Sequence, residues 1–256
     1  MTTISRRRLI GLACSGIATV SAQAACDVDL ALSSATFAGD GRLSARPQSG
    51  TKTSVDGVRP LGLDLSRDAY LSVPAGAGDQ PLPLLVMFHG AGGSGERFIR
   101  RVTPAIEQIR AAVLVPTSRN GTWDAIRDGF GPDVSFLNRT LEQVFRLVAI
   151  DPRHIAAGGF SDGATYALSL GLINGDLFQR IAAFSPGFVV EGRPNGRPQI
   201  FISHGTNDQI LPIDRCSRRI VPSLKQRGYD VTFREFEGGH EMPAEIVKDA
   251  LAWARE

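Results

Sequence analysis

Gly159-Phe160-Ser161-Asp162-Gly163 sets a serine hydroxyl between two glycines. A hydroxyl is a poor nucleophile until a base takes its proton. The chain has four histidines, so the base is chosen from a short list. His89 and His154 precede Ser161, while His204 and His240 follow it. Where a serine sits on a strand-to-helix elbow, the order along the chain is serine, acid, histidine. Only His240, in Glu237-Gly-Gly-His240, leaves room for an acid before it. Asp208, in His204-Gly-Thr-Asn-Asp208, runs from strand to turn to carboxylate. Its role would be to fix the neutral His240 tautomer and stabilise the imidazolium that forms. Asp214 is the competitor, but it fits better as the N-cap of a helix starting at Arg215. Asp176 lies on another element and fits the cap of a turn. The chemistry these residues could do is acyl transfer. The bland alternatives are a Gly-Ser turn at Ser161 and a solvated loop histidine at His240.

Acyl transfer also needs donors for the oxyanion. The residue after the nucleophile, Asp162, offers one backbone N–H. The second is expected from His89-Gly90-Ala91-Gly92-Gly93, which follows an early strand. Ala91 is the first choice and Gly92 the second. Gly90-x-Gly92-x-x-Gly95 also matches the spacing of a dinucleotide fingerprint. That fingerprint wants an acidic residue about 20 positions on, at a strand end. Residues 110–118 hold no carboxylate, so the dinucleotide reading is set aside. The histidines and cysteines lack ligand spacing, so no metal and no cofactor are expected.

These groups need a scaffold that aims loops at one place. From about residue 60, short apolar runs alternate with helical patterns. Strands are predicted at Ala69–Val73, Leu84–His89, Ala112–Val115, His154–Phe160, Ile181–Phe184, Gln199–Ser203 and Val231–Phe236. Helices are predicted at Gly95–Ile109, Val134–Ala149, Gly163–Leu172, Arg215–Arg227 and Pro243–Arg255. Asp133 is the expected N-cap of the second helix. Nearly continuous apolar strands indicate burial on both faces. The pattern implies an α/β fold, an open, mostly parallel sheet with helices on both faces. Ligands then sit beyond the carboxyl ends of the strands. The strand Arg153–Gly158 running into the elbow, and the helical Ala164–Leu170 leaving it, give the serine its context.

The 256 residues carry 28 basic and 26 acidic side chains, a formal net charge of +2. That excess belongs to the N-terminus. Arg6, Arg7 and Arg8 are the only charged residues before position 25. A basic start, an apolar run over Leu9–Val20 and Ala22-Gln23-Ala24 read as an export signal of residues 1–24. Ser5-Arg6-Arg7-Arg8-Leu9-Ile10 is similar to a twin-arginine signal. The apolar run is shorter than the roughly 20 residues that span a bilayer. Neither Cys14 nor Cys26 follows a lipobox. Removal of residues 1–24 leaves 25 basic against 26 acidic residues, so nothing calls for nucleic acid or an anionic membrane. Cys26 and Cys216 would remain in an oxidising compartment, and whether they pair is left open. Residues 25–58, rich in Ser, Gly, Ala and Thr, read as an irregular, loosely attached lead-in, followed by a catalytic domain over 59–256.

Four stretches occur in order: His89-Gly-Ala-Gly-Gly-Ser-Gly, Gly-Phe-Ser161-Asp-Gly, His-Gly-Thr-Asn-Asp208 and Gly-Gly-His240. With them the chain resembles the α/β-hydrolase superfamily over about residues 60–256. The likeness is to the bacterial phospholipase/carboxylesterase group and the polyhydroxybutyrate-depolymerase-like esterases. The resemblance implies Ser161 as nucleophile, Asp208 as acid and His240 as base. The 47 residues from Ser161 to Asp208 leave no room for a large cap, so an open groove is expected. Trp123 and Phe130, in the polar loop 117–132, and Phe188 are candidate substrate-binding walls. Packing beneath a loop is the competing reading for each. The function implied is an exported serine esterase, periplasmic or secreted. It would be a monomer acting on a small-molecule or polymer ester. A peptidase or amidase with the same residues, or a silent binding protein on this fold, are the alternatives.

Overall fold

Pro83-Leu-Leu-Val-Met-Phe88 is apolar on both faces, and it forms the middle of an eight-stranded sheet. The computed structural model describes residues 39–48, 55–78, 80–107 and 109–256. The expected export signal, Cys14 and Cys26 lie outside these residues. The strands are β1 Gly57–Pro60, β2 Tyr70–Val73, β3 Leu82–Phe88, β4 Ala112–Val115, β5 Ile150–Phe160, β6 Arg180–Phe184, β7 Gln199–Gly205 and β8 Val231–Phe236. Their spatial order is β1-β2-β4-β3-β5-β6-β7-β8. The pairings β1–β2 and β2–β4 are antiparallel, and every pairing from β4 to β8 is parallel. Phe88 registers with Gly159, Phe160 with Phe184, Phe184 with Ser203 and Gly205 with Phe236. The carboxyl ends of five strands therefore finish level, and the loops after them share one edge of the sheet. This is the α/β-hydrolase architecture. The connection 185–198 between β6 and β7 holds no helix or strand, and no cap domain is inserted among the described residues.

The helices are α1 Gly95–Ile106, α2 Asp124–Arg127, α3 Pro132–Leu147, α4 Asp162–Ile173, α5 Ser217–Gln226 and α6 Ala244–Ala254. Alternate strand residues face opposite sides. Leu85, Met87, Val113 and Val115 pack with Phe98, Ile99 and Val102 of α1 and Ile246, Val247 and Leu251 of α6. Leu84, Val86 and Leu114 pack with α3, α4 and α5 on the other face. The apolar stripe of α3 at Val134, Leu137, Leu141 and Val144 is buried there. α4 is buried all round because it lies over the sheet centre. No helix among the described residues is long and apolar enough to cross a membrane.

Several local expectations need correction. Asp133 is not an N-cap: α3 starts at Pro132, whose fixed φ suits a first helical position. The Asp133 carboxylate instead takes the N–H groups of Arg119 and Asp124. Asp214 does not cap α5, which begins at Ser217, two residues after the predicted start at Arg215. The N–H groups of Arg215, Cys216 and Arg218 bond back to the Pro212 and Ile213 carbonyls. Asp214 pairs with Arg218 at 2.8 Å. Asp176 caps no turn but binds Arg42 and Arg46. Those arginines lie in the expected lead-in, and residues 39–48 are not loose. Leu43 and Ala45 are buried, and Asn174 and Asn138 accept the N–H groups of Leu43 and of Ser44 and Ala45.

Candidate active site

The strand-to-helix elbow explains its own sequence. β5 ends at Phe160 and α4 starts at Asp162, leaving Ser161 to make the turn alone with φ 57° and ψ −121°. A non-glycine residue in that region is strained. Its N–H is held by the Phe184 carbonyl at 2.9 Å. A Cβ on Gly159 would lie 2.4 Å from the Gly163 oxygen, and one on Gly163 would lie 2.0 Å from the Phe88 oxygen. Only glycine fits at either flank, so the elbow closes tightly against β3.

Ser161, His240 and Asp208 come from three separate loops and meet above the sheet edge. Ser161 Oγ is 2.8 Å from His240 Nε2. His240 Nδ1 is 2.7 Å from Asp208 Oδ2. An ionised carboxylate only accepts, so Nδ1 carries the proton and Nε2 is left to accept from the serine hydroxyl. Asp208 Oδ1 accepts the N–H groups of Ile210 and Leu211 at 2.9 and 2.8 Å. Burial pushes this carboxyl up, but bonding to His240 and Leu211 outweighs it and leaves it below the ordinary range. The Phe160 ring packs against His240 with centroids 4.8 Å apart.

His204 is a contributor that its sequence position did not single out. It is 0% exposed beneath Asp208, with Nε2 3.2 Å from Oδ2. Nε2 also faces the Leu211 carbonyl at 2.7 Å, and Nδ1 faces Ser217 Oγ at 2.7 Å. A carbonyl cannot donate, so Nε2 carries hydrogen and Nδ1 accepts from Ser217. Burial holds the imidazole below the usual histidine range, against the raising influence of Leu211 and Asp208. The only sequence signal was the i, i+4 spacing of His204 and Asp208. His154, by contrast, pairs with Asp151 at the far end of β5.

The loop 89–93, expected to supply an oxyanion donor, is tied to loop 117–123. His89 is buried, and burial lowers its imidazole to about 4, so it is neutral. Its Nε2 accepts from Ser118 N–H, and its Nδ1 donates to Gly90 O at 2.7 Å. Gly92 N–H is spent on Gly121 O at 2.6 Å, which rules out the second-choice donor. Among the described residues the N–H groups of Ala91 and Asp162 donate to no protein acceptor. The Asp162 carboxylate accepts the Thr122 hydroxyl, pinning loop 117–123 to the elbow. Among the described residues no group of three or more His, Cys, Asp or Glu is placed to hold a metal.

The expected walls divide. Trp123 is 2% exposed, its ring stacked on Tyr166 at 4.8 Å and its Nε1 donating to His89 O at 2.8 Å. Phe130 is 5% exposed and packs near the same tyrosine. Both are packing beneath a loop and offer no groove wall, because burying an aromatic ring against Phe88 and Tyr166 outweighs leaving it in water. Phe188 is 47% exposed and borders an open cavity with Val189, Arg215 and Arg219.

Comparison with known proteins agrees with this architecture. NocK of Nocardia uniformis subsp. tsuyamanensis, an esterase by name, is 27% identical over 183 residues, covering 67% of this chain and 53% of that protein. Feruloyl esterase D of Neurospora crassa is 25% identical over 150 residues, covering 53% of this chain and 50% of that protein. The chain spans about half the length of these curated relatives. The crystal structure of esterase PE8 superposes with a TM-score of 0.59 at 22% identity, covering 72% of this chain and 96% of that one, a likeness of fold. Residues 73–255 match the model of the Phospholipase/Carboxylesterase family, and the chain belongs to that family.

Proposed function

We propose that this protein is a serine esterase that cleaves carboxylic esters through an acyl-enzyme. One observation carries the reading: an unbroken hydrogen-bonded run from Ser161 Oγ through His240 to Asp208. His240 Nε2 takes the hydroxyl proton as Oγ attacks the ester carbonyl carbon. The carbonyl electron pair moves to oxygen, where the N–H groups of Ala91 and Asp162 meet it. Collapse expels the alcohol, which takes the proton from His240. Water then repeats the sequence and releases the acid.

Ser161→Ala should lower kcat/KM for p-nitrophenyl acetate by about 10³-fold or more and abolish labelling by a fluorophosphonate probe. Activity within about tenfold of wild type would overturn the assignment. The likeness to NocK and feruloyl esterase D supports ester over amide chemistry, and a matched anilide in the same assay tests that preference.

We also propose export, supported by Arg6-Arg7-Arg8, the apolar run after them and Ala22-Gln23-Ala24. Fractionation of cells expressing the full chain should place the processed protein outside the cytoplasm. Replacing Arg6, Arg7 and Arg8 with glutamine should retain it inside.

A further inference from the structure

A second cavity opens beside the oxyanion loop and is unused by the steps above. Its volume is about 200 Å³. One wall is Gly90 and Ala91, and the other is the α1 face carrying Arg97, Phe98 and Arg101. Phe160, the neighbour of Ser161 and packed on His240, borders it. The space holds roughly six or seven water-sized groups, enough for a carboxylate on a short arm.

The charges on this wall are unbalanced. Of the three arginines on α1, Arg100 is neutralised by Glu96 at 2.6 Å. Among the described residues Arg97 and Arg101 have no carboxylate within 4.0 Å. They lie one turn apart on the same helix face. Arg97 donates one Nη2 hydrogen to Gly92 O at 2.6 Å, which fixes its guanidinium against the oxyanion loop. A guanidinium has five N–H donors, so most of them stay available. Arg101 stands over the Phe160 ring at 4.9 Å, held by cation–π attraction. Glu245, which lines the next cavity with Arg101, stands 4.0 Å from Lys248. Two guanidiniums on one cavity wall, neither with a carboxylate against it, offer donors to a planar anion. The half-buried Phe160 ring supplies apolar contact for the arm that carries it.

We infer that this cavity is an anion-recognising subsite, and that the preferred substrate is a carboxylic ester bearing a free carboxylate a short arm from the scissile carbonyl. The inference rests on the esterase reading. The arm can belong to the acyl group, as in a half-ester of a dicarboxylic acid, or to the alcohol, as in an ester of a hydroxy acid.

Two pairs test it on the purified chain, the first matched in carbon-chain length and the second isosteric. p-Nitrophenyl hydrogen glutarate is compared with p-nitrophenyl valerate, and 3-carboxyphenyl butyrate with 3-carbamoylphenyl butyrate. Each kcat/KM ratio of anionic to neutral ester is measured for wild type, Arg97→Gln and Arg101→Gln, at about 50 and about 500 mM NaCl. At least one pair should favour the anion by about tenfold at low salt. That ratio should fall several-fold in high salt and in at least one arginine variant. Ratios at or below one in both pairs overturn the proposal, and so does a preference indifferent to salt and to both substitutions. If an arginine variant does not fold, Arg101→Lys and the wild-type salt dependence still decide. Absence of hydrolysis of the neutral esters by wild type would instead count against the esterase reading itself.

Discussion

His204 and His240 share one carboxylate oxygen: Asp208 Oδ2 lies 3.2 Å from His204 Nε2 and 2.7 Å from His240 Nδ1. The Leu211 peptide closes the arrangement, giving its N–H to Asp208 Oδ1 and its carbonyl to His204. Asp208 is thereby held from beneath while it aims His240. His204→Gln should lower kcat/KM by about tenfold through a misaimed carboxylate. Fluorophosphonate labelling should slow by a similar factor. A variant that loses stability but labels at the wild-type rate would reduce His204 to packing.

Trp123→Phe separates core from groove. The substitution keeps a ring against Tyr166 but leaves the buried His89 carbonyl without its donor. Urea unfolding should show a loss of about 1–3 kcal/mol. The relative kcat/KM for two-carbon and eight-carbon acyl esters should not move, because the ring does not meet the groove. A clear change in that chain-length preference would return Trp123 to the wall.

The order of elements was legible because it rests on local signals, and the meeting of Ser161, Asp208 and His240 because their order along the chain matches the resemblance. Continuous apolar runs mark buried strands, and the glycines around Ser161 mark a turn only glycine can flank. Among the described residues, five of six helices and seven of eight strands lie close to their predicted ranges. β1 was illegible because all four of its residues are exposed and carry no alternation. α2 is a single turn. What depends on distant pairing also escaped: the anchoring of 39–48 through Asp176, Asn138 and Asn174, and the burial of His204. Trp123 and Phe130 misled because an aromatic in a polar loop reads alike whether it points out or folds back. The capping argument against Asp214 failed although Asp208 is the carboxylate that meets His240, since Asp214 caps nothing.

Gly163→Ala should abolish folding. The added Cβ would press on the Phe88 carbonyl, and Phe88 leads directly into the oxyanion loop. Neither backbone can retreat without parting β3 from the elbow. A cost above about 3 kcal/mol is expected, seen as insoluble or unfolded protein. Gly121→Ala is the control: nothing lies within 4 Å of its Cβ, so stability should stay within about 0.5 kcal/mol. A soluble, cooperatively folding Gly163→Ala would mean the elbow is looser than its geometry.

Asp133 should give stability an inverted pH response. It is buried at the start of α3, and burial, helped by the neighbouring Asp124 charge, raises its carboxyl to about 6. The unfolded chain releases this proton near pH 4. Between those values the native state binds more protons than the unfolded state, so this group's contribution falls as pH rises. The slope is at most about 1.4 kcal/mol per pH unit. Asp133→Asn cannot titrate and keeps only one oxygen, so one of the two N–H groups, that of Arg119 or that of Asp124, loses its acceptor, a loss that does not change with pH. Carboxylates that do not interact with Asp133 shift stability equally in both proteins, so the pH dependence of the difference reports Asp133 together with its coupling to Asp124. Urea unfolding from pH 4 to 7 should move that difference in the variant's favour by on the order of 2 kcal/mol, mostly below pH 6. A difference that stays flat, or moves toward wild type, would show that the Asp133 charge is better compensated than its burial implies.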